Sequence, residues 1–284
     1  MKRPNSMRHL DDAIRRLSGN TPRDFVRART VMANAIVASM LPDGVVKGGS
    51  ALKMRFGDKA TRFTTDLDTA TATDPAVYAD RLDSRLRSGW EGFSGRVVAK
   101  SSASPDGVPE QYVMQPYDVK LEYLGKPWCT VPLEVGHNEI GDADTADWAE
   151  LADAAGLFEA MGFPAPGKAP LMPLDHQVAQ KLHAVSGPGD RARDLIDLQL
   201  IAARAEIDPE ATRRTCERLF SYRKAQAWPP MVVKREGWGE MYASLAEGLP
   251  VIQDIDEAIE WANELVAGIE GATLEQCLSA YEEG

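Results

Sequence analysis

Apolar residues recur at helical spacing through the first forty positions. Leu10, Ile14 and Leu17 share one face. A second run through Phe25, Val31, Ile36 and Met40 follows Thr21-Pro22, an N-cap with proline in the first turn. Pro42-Asp43-Gly44 stops that helix, and Val45-Val46 predicts a short strand ending at a glycine pair. The period returns to that of a helix over 50–56 and changes to a short strand over 65–70. Pro75 opens a helix that runs to about Arg87. Val97-Val98, 112–114, 119–123 and 128–135 read as successive strands, the last two joined at the turn Gly125-Lys126-Pro127.

After Gly136 the pattern becomes an acidic helix. A stretch with Pro164, Pro166, Pro170 and Pro173 then reads as a boundary between lobes. From Leu174 onward helices are predicted over 174–186, 191–205, 209–226, 237–247, 255–267 and 273–281. The chain has no internal repeat and no low-complexity tract. The expected class is α+β, with an α/β lobe over 1–165 and a helical C-terminal lobe over 166–284.

Composition narrows the function. With 284 residues and 44% hydrophobic content, the chain can build a sizeable core without disulfide or metal staples. Its three cysteines, Cys129, Cys216 and Cys277, are far apart and form no Cys-x-x-Cys pair, which points to a reducing cytoplasm and away from a zinc knuckle. No segment is long and apolar enough to suggest a signal peptide or membrane span. A net charge of −11 argues against non-specific coating of nucleic acid, which depends on Lys and Arg neutralising phosphates. The charge is uneven: residues 47–62 and 213–235 are basic, whereas 139–160 and 247–284 are acidic. Two local anion-binding patches on an acidic body are therefore expected.

The candidate chemistry lies in one ordered constellation: a strand, the turn Gly48-Gly49-Ser50, a helix, and then Asp66-Leu67-Asp68 on a second strand. Alternate residues of a strand share a face, so Asp66 and Asp68 point together while Leu67 turns inward. Paired carboxylate oxygens suit a hard cation such as Mg²⁺ or Mn²⁺. The two glycines allow backbone N–H groups to approach a phosphate, and Ser50 at a helix N-terminus adds a hydroxyl and the positive end of the dipole. Each piece alone is common in loops and caps; the ordered combination carries the signal. His176 and His183 form no zinc pattern, and no Walker loop or Gly-x-Gly-x-x-Gly is present.

Lys47-Gly48-Gly49-Ser50-Ala51-Leu52 followed by Arg62-Phe63-Thr64-Thr65-Asp66-Leu67-Asp68 resembles the signature of the AbiEii/AbiGii toxin family, a branch of the DNA polymerase β nucleotidyltransferase superfamily. Downstream, Lys181-Leu182-His183-Ala184 and the run Arg191-Ala192-Arg193-Asp194-Leu195-Ile196-Asp197-Leu198 resemble that family's lysine and Arg-Asp-x-x-Asp-Leu motifs, with Gly187-Pro188-Gly189-Asp190 as a departure between them. The resemblance covers roughly residues 45 to 200. It implies a polymerase-β-like nucleotidyltransferase lobe with a mixed sheet. It also implies a toxin of a toxin–antitoxin or phage-defence pair that moves nucleotides from a nucleoside triphosphate to RNA, in MenT-like members the 3′ end of tRNA. A separately encoded antitoxin would silence it.

On the residues alone, Lys181 reads as a snorkelling surface lysine and Asp194 as an acid in a helix's first turn. The resemblance instead makes Lys181 and Asp194 catalytic, and adds Arg193 and Asp197 to a nucleotide site that includes Gly48, Gly49, Ser50 and Lys53. The superfamily's third metal carboxylate falls on Glu134 of Pro132-Leu133-Glu134-Val135, with Asp118 and Glu122 as competitors. Arg213, Arg214, Arg218, Arg223, Lys224, Lys234 and Arg235 are expected to meet the acceptor's phosphates. Two other readings remain: a metal-dependent nuclease built on Asp118-Val119-Lys120 and Glu122, and a nucleotide-binding module without turnover.

Overall fold

The structure is a computed structural model describing residues 3–19, 21–101 and 113–282, with side chains described as far as Gly271. It divides into two compact units, Met1–Lys59 with Phe63–Met172, and Ala60–Arg62 with Pro173–Gly284.

The first unit begins with α1 (Met7–Ser18) and α2 (Pro22–Ser39), each capped by a hydroxyl: Ser6 accepts from the His9 amide and Thr21 from the Asp24 amide. There follow β1 (Val45–Lys47), α3 (Gly48–Phe56), β2 (Leu67–Thr71), α4 (Pro75–Ser88), β3 (Phe93–Ala99), β4 (Gln115–Tyr123), β5 (Lys126–His137), β6 (Asp147–Ala149), α5 (Ala152–Ala160) and β7 (Ala169–Leu171). The strands form one mixed sheet in the order β3-β4-β5-β2-β1-β7-β6. β1 runs antiparallel to β2 and parallel to β7, while β2 runs parallel to β5.

β4 alternates strictly, with Tyr117, Val119, Leu121 and Tyr123 buried, and β5 does so over Val131, Leu133 and Val135; the alternation breaks near the hairpin, where Trp128 is buried out of step and the register shifts at Leu121–Glu122, and again at buried Gly136. The buried set packs under Leu10, Ile14, Met32, Ile36, Tyr78 and Leu82 from α1, α2 and α4. The opposite face of β5, β2 and β1 is the one that carries the charged residues of the site.

Several elements differ from the expectations above, each for a local reason. β2 starts at Leu67, so Asp66 stands just before the strand. The Ser50 hydroxyl donates to the Asp66 carbonyl and the Thr64 hydroxyl to the Asp66 carboxylate at 2.6 Å, which holds Asp66 out of the ladder. The expected strand over 112–114 is not formed at Val113 and Met114, and Tyr112 lies outside the described residues. The β4–β5 connection is a two-residue hairpin at Leu124-Gly125, both with positive φ (49° and 71°), one residue earlier than expected.

The acidic helix is confined to α5. Upstream of it, Asp142 accepts from the Glu139 amide and Asp144 from the Asn138 side chain, and these local bonds compete with helix formation. The proline-rich stretch contains β7, in which Leu171 pairs with Val46 and Pro170 with Trp148.

The second unit is helical: α6 (Leu174–Ser186), α7 (Ala192–Arg204), α8 (Pro209–Arg223), α9 (Trp238–Ala246) and α10 (Ile255–Glu282). The last is one continuous helix where two were expected. No helix among the described residues is long and apolar enough to cross a membrane.

Candidate active site

The site is built where β1 turns into α3. Gly48 has φ +65°, a left-handed conformation, and a Cβ there would stand 2.2 Å from Oδ2 of Asp68. Glycine is required twice over, for the backbone angle and for the approach of the turn to the carboxylate. Lys47 occupies the N-cap of α3 and makes no side-chain cap hydrogen bond, so the start of this helix faces the Asp68 carboxylate packed on the Gly48 turn. Gly49 lies buried in the first turn.

Strand register sets the rest. Lys47 pairs with Asp68 across β1 and β2, and Asp68 pairs with Glu134 across β2 and β5. Residues in direct register share a sheet face, so Lys47, Asp68 and Glu134 form one row, with neighbouring strands about 4.8 Å apart. Of the three carboxylates considered for the third position, Glu134 stands beside Asp68. Asp118 is one strand further, opposite Pro132, and pairs with Lys100 at 3.5 Å; Glu122 lies near the hairpin end of β4. Asp66 is two residues from Asp68, with fully buried Leu67 between them.

Ser50 is only 2% exposed, and its hydroxyl ties α3 to the entrance of β2. Lys53 is turned towards the loop before β2: its amine donates to the Thr64 carbonyl at 2.8 Å, pairs with Asp58 at 3.3 Å and lies 4.8 Å from the Phe63 ring centroid.

In the second unit, Lys181 joins Asp194 (3.2 Å) and Asp197 (2.5 Å), all three nearly inaccessible. Arg62 grips Asp197 with two hydrogen bonds of 2.9 and 3.0 Å, and Arg191 pairs with Asp194 at 2.8 Å. Burial pushes the Asp197 pKa up, but the Lys181 and Arg62 cations outweigh it and hold the carboxyl below its ordinary value. Arg193 is exposed and outside this cluster, because α7 turns it to the side opposite its aspartates. Sequence reasoning counted Lys47 and Arg62 only within the basic segment 47–62, quoted Arg191 only as part of a motif, and gave none of the three a role at the site. The Arg62–Asp197 pair spans 135 positions, and no periodicity connects them.

In the basic segment of the same unit, Arg213 pairs with Glu217, Arg214 with Glu210 and Lys234 with Asp256. Arg223 faces His183 at 3.3 Å. Part of the expected patch is thus neutralised within the fold.

No group of three or more His, Cys, Asp or Glu among the described residues is arranged to hold a metal ion. The expected set of Asp66, Asp68 and Glu134 is therefore not gathered as a three-carboxylate centre; Mg²⁺ at phosphate-transfer sites is commonly held by one or two carboxylates, with substrate phosphates and water completing the octahedron. Asp68 and Glu134 in register, with the Gly48 turn packed on the Asp68 carboxylate, fit such a partial site in donor chemistry.

A mixed sheet carrying a glycine turn against a carboxylate row is the architecture of a nucleotidyltransferase. The chain is similar to MenT4, a nucleotidyltransferase toxin from Mycobacterium tuberculosis H37Rv, with a TM-score of 0.54 and 18% identity over 91% of this chain and 98% of that one. JHP933 from Helicobacter pylori aligns with a TM-score of 0.46 and 16% identity over 90% of this chain and 96% of its own. No curated protein matches by sequence. The family model for the nucleotidyl transferase AbiEii toxin of type IV toxin–antitoxin systems matches residues 31–265, and the chain belongs to that family. A toxin of this kind has an antitoxin as its counterpart.

Proposed function

We propose that the protein transfers a nucleoside monophosphate from a nucleoside triphosphate to an RNA hydroxyl, the 3′ end of tRNA being the preferred acceptor class, and that it acts in the cytoplasm. One observation carries this reading: a glycine turn at the start of α3 pressed against Asp68, which stands in register with Glu134. The turn offers backbone N–H groups and a helix dipole to the phosphates, and the carboxylates offer oxygen ligands on the same sheet face.

In the reaction, the acceptor oxygen forms a bond to the α-phosphorus. The bond from that phosphorus to the bridging oxygen breaks, pyrophosphate leaves, and the hydroxyl proton is lost to a carboxylate of the row. Mg²⁺ or Mn²⁺, when bound, would polarise phosphate oxygens and offset the charge that develops on them. Asp68 and Glu134 are the residues that would hold it, with Asp66 beside them. Gly48 and Gly49 seat the triphosphate. Ser50 and Lys53 act one step back, fixing α3 to the segment that carries Asp66. Lys181, Asp194 and Asp197 enter on the family resemblance and on their buried ion cluster.

The test is incubation with each α-labelled triphosphate, Mg²⁺ and total tRNA, comparing the wild type with Asp68→Asn. RNA lengthened by the wild type and not by the variant is expected. Label incorporated equally by both would remove Asp68 from the reaction, and shortened RNA would favour the nuclease reading at Asp118 and Glu122.

A further inference from the structure

We infer that Lys47 is a phosphate-binding residue of this site, taking the β- and γ-phosphates of the triphosphate and then the departing pyrophosphate. The inference rests on the nucleotidyl-transfer reading. Lys47 heads the row that continues into Asp68 and Glu134, so its side chain rises from the same face. Its course is fixed by a second strand. A Cβ on Gly136 would stand 2.9 Å from the Lys47 amine and 3.7 Å from its Cε.

Gly136 lies two residues beyond Glu134 and pairs with Ala70. The lysine stem therefore reaches across β2 and sets its ammonium over β5, beside the carboxylate row. Residue 136 without a side chain leaves the room for it. Among the described residues no carboxylate lies within ion-pair distance of this half-buried ammonium, and Glu134 likewise makes no ion pair. A cation and an anion on one face, neighbours yet unpaired, suit a ligand that carries both signs. A polyphosphate with its divalent ion is such a ligand, and the lysine meets the phosphate end as a point charge.

The geometry gives an unusual second handle. Gly136→Ala places a methyl where the amine sits and displaces it, and because the displaced atom is the end of a flexible chain the fold tolerates the change. The nearest backbone atom, the Thr69 carbonyl, stays at an ordinary 3.4 Å.

The experiment compares wild type, Lys47→Met, Gly136→Ala and the double variant. It measures calorimetric binding of inorganic pyrophosphate and of each triphosphate with Mg²⁺, and KM in the labelled transfer assay. Lys47→Met should weaken pyrophosphate and raise the KM for triphosphate roughly ten- to hundredfold, the worth of a hydrogen bond to a charged group. Gly136→Ala should do the same to a lesser degree and add nothing in the Lys47→Met background.

Unchanged pyrophosphate binding in Lys47→Met, or an equal loss from Gly136→Ala with and without Lys47, would overturn the assignment while leaving wild-type transfer intact. A wild type that binds neither pyrophosphate nor any triphosphate would overturn it together with the reading beneath it.

Discussion

Replacing Gly48 with alanine separates backbone strain from damage to the site. The residue sits at φ +65°, where an L-residue with a Cβ pays about 1 to 2 kcal/mol. For a unit of this size that corresponds to roughly 2 to 8 °C in Tm. The new methyl would also stand 2.2 Å from Oδ2 of Asp68, and ordinary contact requires at least 3.4 Å, so carboxylate and turn must part by more than an ångström. Misplacing a reacting group by about 1 Å costs on the order of a hundredfold in rate.

Gly125→Ala supplies the control. Gly125 has φ +71° in the β4–β5 hairpin, and nothing lies within 4 Å of its missing Cβ, so it carries the strain without the collision. The assay pairs scanning fluorimetry with label transfer from triphosphate to RNA. Both variants should melt a few degrees early, and Gly48→Ala alone should lose about a hundredfold in transfer. Full activity in Gly48→Ala, with its melting point lowered, would refute the claim that this turn and Asp68 act as one seat.

Two further substitutions probe the second unit. Asp197→Asn leaves Lys181 and Arg62 without their shared buried anion and should cost about 3 to 5 kcal/mol in urea unfolding; a variant as stable as the parent would show that the cluster contributes nothing to the fold. Because the Asp197 pKa lies below its ordinary 3.8 in the fold, this stabilisation is complete above that value and is lost only as pH falls through the lower folded one, so the wild-type advantage should persist down to about pH 4. His183 moves the other way on the pH axis. Burial first, and the Arg223 cation second, lower its pKa from 6.5 to about 4, so the unfolded chain binds the extra proton between those values and stability declines as pH drops from 6.5 towards 4. His183→Phe, which keeps a ring against Phe220, should flatten that slope by up to about 3 kcal/mol, and an unchanged slope would assign it to another group.

What could be read in the chain follows from how far its signals travel. Helices α1, α2, α4 and α6 announce themselves by period, proline and caps within a dozen residues, and alternation along β4 and β5 marks the buried face directly. The order of strand, glycine turn, helix and Asp66-Leu67-Asp68 is equally local, and the structure keeps Leu67 buried between two half-exposed aspartates.

Signals that depend on partners elsewhere were out of reach. β7 is three residues around Pro170, and only β1 on one side and β6 on the other make a strand of it. The sequence preferred Glu134 to Asp118 and Glu122 without a register to set them apart, and the β2–β5 pairing puts Glu134 beside Asp68 and Asp118 a strand away.

The same logic explains why the pairing of Lys47 with Gly136 escaped notice. A lysine before two glycines reads as a strand end, and a glycine in a strand reads as a weak point. Only the register that lays Lys47 across β2 makes them a pair, the one residue small because the other is long. A sheet can thus build a cationic site from residues nearly ninety positions apart, neither of which is unusual in its own neighbourhood.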